Sequence, residues 1–286
     1  MTAPSTPVKV RLRSLPPAAG LFWIRRGIRA FLRRPAGFLG LFAFELVCLL
    51  VCRILPAPLA LAATVLLPLI ALGFMVATED VLDDVPLRPS VFWTPLTLGT
   101  TARRALLTIG MIYVVSNLLI LLVGDWLDNG EVRNFMQAMM TPRTDGKMPD
   151  LPPLSGAGFA VLMLQSFGAA LVAIPLWHAP ALVHWGRQGA AQAIFSSIVA
   201  VWRTRGALAV YALGWFGIMF GVAFALSLLA ALIGAVPAAF VLAPPLMMML
   251  TTVFYISIWF CFVDTFEITS PTAYRTVMVE SDRPAA

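Results

Sequence analysis

The chain has 286 residues, of which 60% are hydrophobic and 12% charged, with a mean hydropathy of +0.88. A soluble domain carries roughly 25% charged residues, so an ordinary water-soluble globule is excluded, as are disordered chains, collagen and disulfide-stapled secreted domains. The net charge of +6 and the pI near 9.8 do not point to nucleic acid, because eight of the 20 basic residues precede the first long apolar run, where an orientation signal acts. These properties describe a polytopic, all-α membrane protein.

Residues 1–16 read as a disordered tail rich in Pro, Ser and Thr. They lack an apolar h-region, so the first span is expected to be retained. Residues 17–34 read as a basic interfacial helix. Helical projection from Gly20 to Arg34 puts Leu21, Ile24, Ile28, Phe31 and Leu32 on one side, with Arg25, Arg26, Arg29 and Arg33 beside them. Together with Arg34, these arginines would meet anionic headgroups of the cytoplasmic leaflet at roughly 1 kcal/mol each, or act only as a topology signal.

Residues 35–266 read as a six-span bundle, since a bilayer core of about 30 Å needs about 20 helical residues. The stretches are Ala36 to Ile54, Pro58 to Thr78, Arg104 to Val123, Gly158 to Val183, Ala207 to Ile233 and Ala238 to Val263. Ala190 to Arg203 is a second amphipathic candidate, with Ala191, Ile194, Phe195, Ile198, Val201 and Trp202 at helical spacing. Residues 267–286 read as a disordered tail. With six spans, the Lys and Arg residues divide as 16 on the side of the termini and 4 on the opposite side, which predicts both ends in the cytoplasm of a bacterial inner membrane. The only sizeable external segment is then the third loop, about Gly124 to Pro153.

A weak internal repeat accompanies this layout. A polar or basic stretch ending near Arg33, Arg103 or Arg203 precedes each odd-numbered span, and Pro68-Leu69, Pro175-Leu176 and Pro245-Leu246 fall in the even-numbered ones. Three related helical hairpins are expected, with coincidence as the alternative.

The stretch Ala179-Pro180-Ala181-Leu182-Val183, followed by Ala193-Ile194-Phe195-Ser196-Ser197, Trp202-Arg203 and Tyr211, resembles a signature of an uncharacterised family of six-helix inner-membrane proteins of proteobacteria. Gly73-Phe74-Met75 fits the same pattern. The resemblance runs from Gly20 to about Phe266 and implies an inner-membrane location and six spans. It implies no activity, catalytic residue or ligand, and Glu45 has no counterpart in the pattern.

Among residues that could carry chemistry, Glu45 lies roughly 16 Å beyond the basic cluster at 1.5 Å per residue. An ionised side chain at that depth costs roughly 2.5 to 3.5 kcal/mol, so it should face the bundle interior, be protonated, or both. Asn117, Gln165, Thr251 and Thr252 fall at a similar level, which predicts a midplane polar belt with Asn117 or Gln165 hydrogen-bonded to Glu45. Such a belt is either interhelical glue or a transport site.

Glu79, Asp80, Asp83 and Asp84 could hold Mg²⁺ with a diphosphate, but they lack a second acidic set and read better as a solvated helix end stopped by Pro86. His178 and His184 are about 120° apart on a straight helix, which disfavours a shared metal. Cys48, Cys52 and Cys261 read as small buried hydrophobes. Gly217 and Gly221 form a Gly-x-x-x-Gly expected to pack inside the monomer, with homodimerisation as the alternative. No catalytic constellation, metal site or cofactor motif is recognised. The expected function is a non-enzymatic inner-membrane protein with a structural, envelope-related or lipid-associated role, its partners being membrane lipids; the alternative is a small-solute transporter using Glu45 and a Pro-kinked sixth helix.

Overall fold

The computed structural model describes residues 9–56, 59, 63–140, 151–232 and 236–269. It is an all-α membrane fold with a short terminal strand pair. In chain order the elements are β1 (Lys9–Leu12), α1 (Ala19–Arg33), α2 (Pro35–Arg53), α3 (Leu67–Leu82), α4 (Thr100–Leu127), α5 (Glu131–Met140), α6 (Gly156–Leu176), α7 (Ala179–His184), α8 (Ala190–Arg203), α9 (Arg205–Leu232), α10 (Val236–Thr265) and β2 (Phe266–Thr269). Among the described residues, five segments are long and apolar enough to cross a membrane: Pro35–Cys52, Thr100–Leu127, Gly156–His184, Arg205–Leu232 and Val241–Thr265.

The expected second span is seen only in its later part. α3 starts at Leu67 with Pro68 in its first turn, where the missing amide hydrogen costs nothing, and residues 57, 58 and 60–62 lie outside the described residues. The expected fourth span is broken. α6 ends at Leu176, just after Pro175, and α7 restarts at Ala179 with Pro180 in its first turn. α10, by contrast, runs as one helix through Pro244 and Pro245. The three Pro-Leu pairs thus occupy three different helix positions.

Both tails depart from the expectation of disorder where they are described. β1 pairs antiparallel with β2, with Arg11 opposite Glu267 and Leu12 opposite Phe266. The Arg13 amide extends the ladder to the Thr265 carbonyl at 3.0 Å, and its guanidinium lies 3.5 Å from Glu267. The first and last described residues therefore leave the bundle at one end. The expected tails at residues 1–8 and 270–286 lie outside the described residues.

α1 is not simply a surface helix. Its small residues Ala19, Gly20, Gly27 and Ala30 are buried together with Trp23, Ile24 and Phe31. A β-carbon on Gly20 would collide with the Ala207 carbonyl of α9, and one on Gly27 would meet Ser257 of α10 at 2.7 Å. The projected apolar stripe is split by this packing, because Ile24 and Phe31 point inward while Leu21, Ile28 and Leu32 remain exposed. Large apolar side chains gain little from helix packing when the surrounding solvent is lipid, whereas small ones let backbones approach.

α8 follows the same rule. Ala193, Ser197 and Ala200 are fully buried, while Phe195 (67% exposed), Ile198 and Trp202 point outward. On α9, Phe216, Phe220 and Phe224 form an exposed stacked ladder. At Gly217 and Gly221 a β-carbon would have nothing within 4 Å, so the expected packing of this motif inside the monomer is not found among the described residues. Cys48 is likewise exposed, and only Cys261 is buried.

Outside the spans, α5 is held against the start of α6. The Asp128 carboxylate accepts from the Gly130 and Val132 amides at 2.9 and 2.8 Å, capping α5. Glu131 accepts from the Ser155 hydroxyl at 2.6 Å, and that hydroxyl in turn accepts from the Gly158 amide at 3.1 Å to cap α6. These bonds hold the exposed Glu131 carboxyl below its usual range.

Candidate functional site

Glu45 is a buried acid of the bundle. It lies on α2, ten residues past Pro35, and is 8% exposed. Its Oε2 is buried and has no hydrogen-bond partner. The expected belt is not assembled around it. The Asn117 amide donates to the Tyr113 carbonyl of its own helix at 2.8 Å, and the Thr252 hydroxyl donates to the Met248 carbonyl at 2.7 Å. The Gln165 amide sits beside Gly124, near the loop end of α4, rather than at the level of Glu45. Thr251 is half-buried next to Thr252 on α10. Polar residues of moderate size satisfy themselves against the preceding turn of a helix, which removes the pressure to meet across it.

In place of a belt, Glu45 lines a cavity of about 350 Å³. α2, α3, α4, the α6–α7 break and α10 all contribute walls. Pro68 and Pro180, the two prolines that begin α3 and α7, both face it, as does Trp177 in the break. The polar heads come from Tyr113 of α4 and Tyr255 of α10, and Tyr255 interacts electrostatically with both Glu45 and Tyr113. Apart from these, the lining among the described residues is apolar or aromatic, with no Lys, Arg or His. Leu49, one turn beyond Glu45 on the same face of α2, also lines the cavity and is 36% exposed.

Sequence reasoning found Glu45 but missed Tyr113, Tyr255 and Trp177. The available signal was the Pro180 of the resemblance motif, which marks a helix start rather than a kink. That motif proves to be core: Ala179, Pro180, Ala181, Leu182 and Val183 are all buried, and Pro180 and Ala181 wall the cavity. Tyr211, from the same pattern, bonds Ser257 at 2.7 Å and packs edge-on to Trp23.

The arginines expected on the lipid surface separate by role. Arg25, Arg29 and Arg33 lie on the exposed side of α1. Arg26 turns inward instead, pairing with Asp264 and stacking over Phe260 at 5.1 Å, while Trp23 Nε1 donates to the same Asp264 carboxylate at 2.9 Å. Arg34 donates to the Val85 carbonyl at 2.9 Å and lies 3.8 Å from Asp84, tying the α1–α2 junction to the chain after α3. An amphipathic projection cannot tell these fates apart, because it does not see the acid on a distant helix.

The acidic cluster is also more divided than a solvated helix end. Glu79, beyond the expected end of the span at Thr78, accepts from Trp185 Nε1 at 3.1 Å. Burial pushes its carboxyl up to about 7, with Asp83 and Asp80 adding to the rise. Asp80 is raised as well, by burial and by Asp83. His178 and His184 do not converge: His178 is enclosed by Phe262, Phe266 and Cys261, whereas His184 packs edge-on to Trp185 at 4.5 Å. Among the described residues, no group of three His, Cys, Asp or Glu side chains is placed to hold a metal ion.

Compared with known proteins, the chain is 30% identical over 255 residues to a probable inner membrane protein of Burkholderia thailandensis, covering 89% of this chain and 93% of that protein. No protein-family model matches the chain, and no solved structure matches it. Length coverage from both sides, together with apolar helices long enough to cross a bilayer, leads to one conclusion: the chain belongs to the family of that probable inner membrane protein.

Proposed function

We propose that the protein is a six-span, non-enzymatic inner-membrane protein with both termini in the cytoplasm, and that it has a lipid-associated role: it takes an amphiphilic molecule from the bilayer into the Glu45 cavity. The observation that carries this reading is the cavity itself. It has an apolar lining and an unpartnered carboxyl, and one of its lining residues, Leu49, is 36% exposed. An apolar space with few polar groups is the usual form of a small-molecule site. The strand pair between the two chain ends supports an even number of crossings, and the excess of Arg and Lys at those ends supports their cytoplasmic placement. The outward arginines Arg25, Arg29 and Arg33 would rest on anionic headgroups there.

The test is mass spectrometry of the protein extracted from inner membranes into polymer-bounded lipid discs. An amphiphile should be retained at about one per chain, and Ala71→Trp, which fills the cavity, should release it. A protein that carries nothing in either form contradicts the proposal. For topology, a cysteine placed at Asn134 in α5 should react with an impermeant reagent in intact spheroplasts, and one at Gly189 should not.

A small-solute transporter using Glu45 is the second reading. One observation favours it: the chain starts or breaks its helices at Pro68 and at Trp177–Pro180, both on the cavity wall. Discontinuous helices at a binding site are a feature of transporters. Preserved folding with loss of proton-dependent flux in Glu45→Gln would select this reading.

A further inference from the structure

The chemistry of the Glu45 cavity narrows what could occupy it, and this inference rests on the proposal that the cavity takes a ligand. Glu45 is more than nine-tenths buried, lines the cavity and has a buried Oε2 without a partner. Among the described residues, those lining the space supply no positive charge. They do supply aromatic rings, those of Tyr113, Trp177, Phe254 and Tyr255. A carboxylate among ring faces in a low-dielectric space is complementary to a positive charge carried on an apolar body, because the charge and the ring quadrupoles attract it together.

We propose that the cavity binds a lipophilic amine or quaternary ammonium carrying one positive charge, with the cation beside Glu45 and its apolar part extending past Leu49 toward the bilayer. An anionic ligand would bring a second negative charge to an unpartnered carboxyl. A neutral ligand would leave that carboxyl to be neutralised by a proton, at no gain from the surrounding rings. A volume near 350 Å³ is at the low end for small-molecule sites, of roughly 300 to 1,000 Å³, and suits a compact headgroup better than a whole phospholipid.

The experiment is equilibrium dialysis of radiolabelled benzyltrimethylammonium against the full chain in dodecyl maltoside micelles, with empty micelles subtracted. The competitor is neopentylbenzene, its neutral carbon isostere. The expected result is saturable binding that neopentylbenzene does not displace, at least tenfold weaker in Glu45→Gln and abolished in Ala71→Trp. Equal displacement by neopentylbenzene, or an unchanged affinity in a folded Glu45→Gln, overturns the cationic ligand but leaves the cavity as a binding site. Absence of saturable binding by either compound overturns the cationic ligand, and overturns the cavity reading too if no amphiphile is retained from the membrane. Binding that survives Ala71→Trp places the ligand elsewhere and also overturns the proposal. Should Glu45→Gln fail to fold, the comparison of the cation with its isostere on the unaltered chain decides the matter alone.

Discussion

Gly27 of α1 lies so close to Ser257 of α10 that a β-carbon on the glycine would stand 2.7 Å from the Ser257 Cβ and 3.1 Å from its Cα. The neighbour is partly backbone, so it cannot swing aside. Gly27→Ala should therefore destabilise the protein by about 1 to 3 kcal/mol through overpacking. Gly40→Ala on α2, where nothing lies within 4 Å, should stabilise by about 0.5 to 1 kcal/mol through helix propensity. Thermal or denaturant unfolding in micelles compares the two.

The same helix pair holds the Arg26–Asp264 ion pair, with both side chains largely buried. Arg26→Met leaves the carboxylate without its counter-charge and should cost about 3 to 5 kcal/mol. Asp264→Asn keeps an acceptor for Trp23 Nε1 but strands the guanidinium, so it should also destabilise. The double variant Arg26→Met/Asp264→Asn should recover part of the loss, as a double-mutant cycle would show.

Glu79 gives the protein a pH dependence with a definite sign. Its folded-state pKa, about 7, lies above the ordinary 4.5, so the folded chain holds a proton that the unfolded chain releases. Stability should fall as pH rises from about 4.5 to about 7 on account of this group. Glu79→Gln should flatten that slope and gain most at the alkaline end, read as the unfolding midpoint from pH 5 to pH 8. A slope unchanged by the substitution would contradict the buried environment against Trp185.

Glu131 has the opposite sign. The Ser155 bonds lower its pKa, so their contribution is present above the unfolded value and is lost as pH falls through the folded one. Acidification should loosen α5 from α6 before the spans are affected, and Ser155→Ala should bring the same loosening to neutral pH. Amide hydrogen exchange of the 131–140 segment is the measurement.

Five spans and the helical class were legible because a bilayer demands about 20 apolar residues in a row, a requirement that composition alone exposes. Glu45 was legible for the same reason, as an acid in the middle of such a run. Its surroundings were not. Tyr113 and Tyr255 line the same cavity from α4 and α10, and no local pattern links residues so far apart in sequence. The apolar stripe misled on α1 because hydrophobic projection assumes water outside; beside lipid, Gly20, Gly27 and Ala30 mark the packed face and Leu32 (65% exposed) marks the free one. The strand pair escaped notice because Lys9–Leu12 and Phe266–Thr269 are too short to carry a recognisable alternation, and their pairing is fixed by where the bundle leaves them.

Trp23 and its partner Asp264 are 241 positions apart. At a ribosomal pace of about 5 to 20 residues per second, α1 emerges roughly 10 to 50 s before the helix it docks on has been made. During that interval its buried face is unmatched. Translation of the final stretch then completes the molecule, so a stop codon before Asp264 would leave the beginning of the protein unfinished as well as its end.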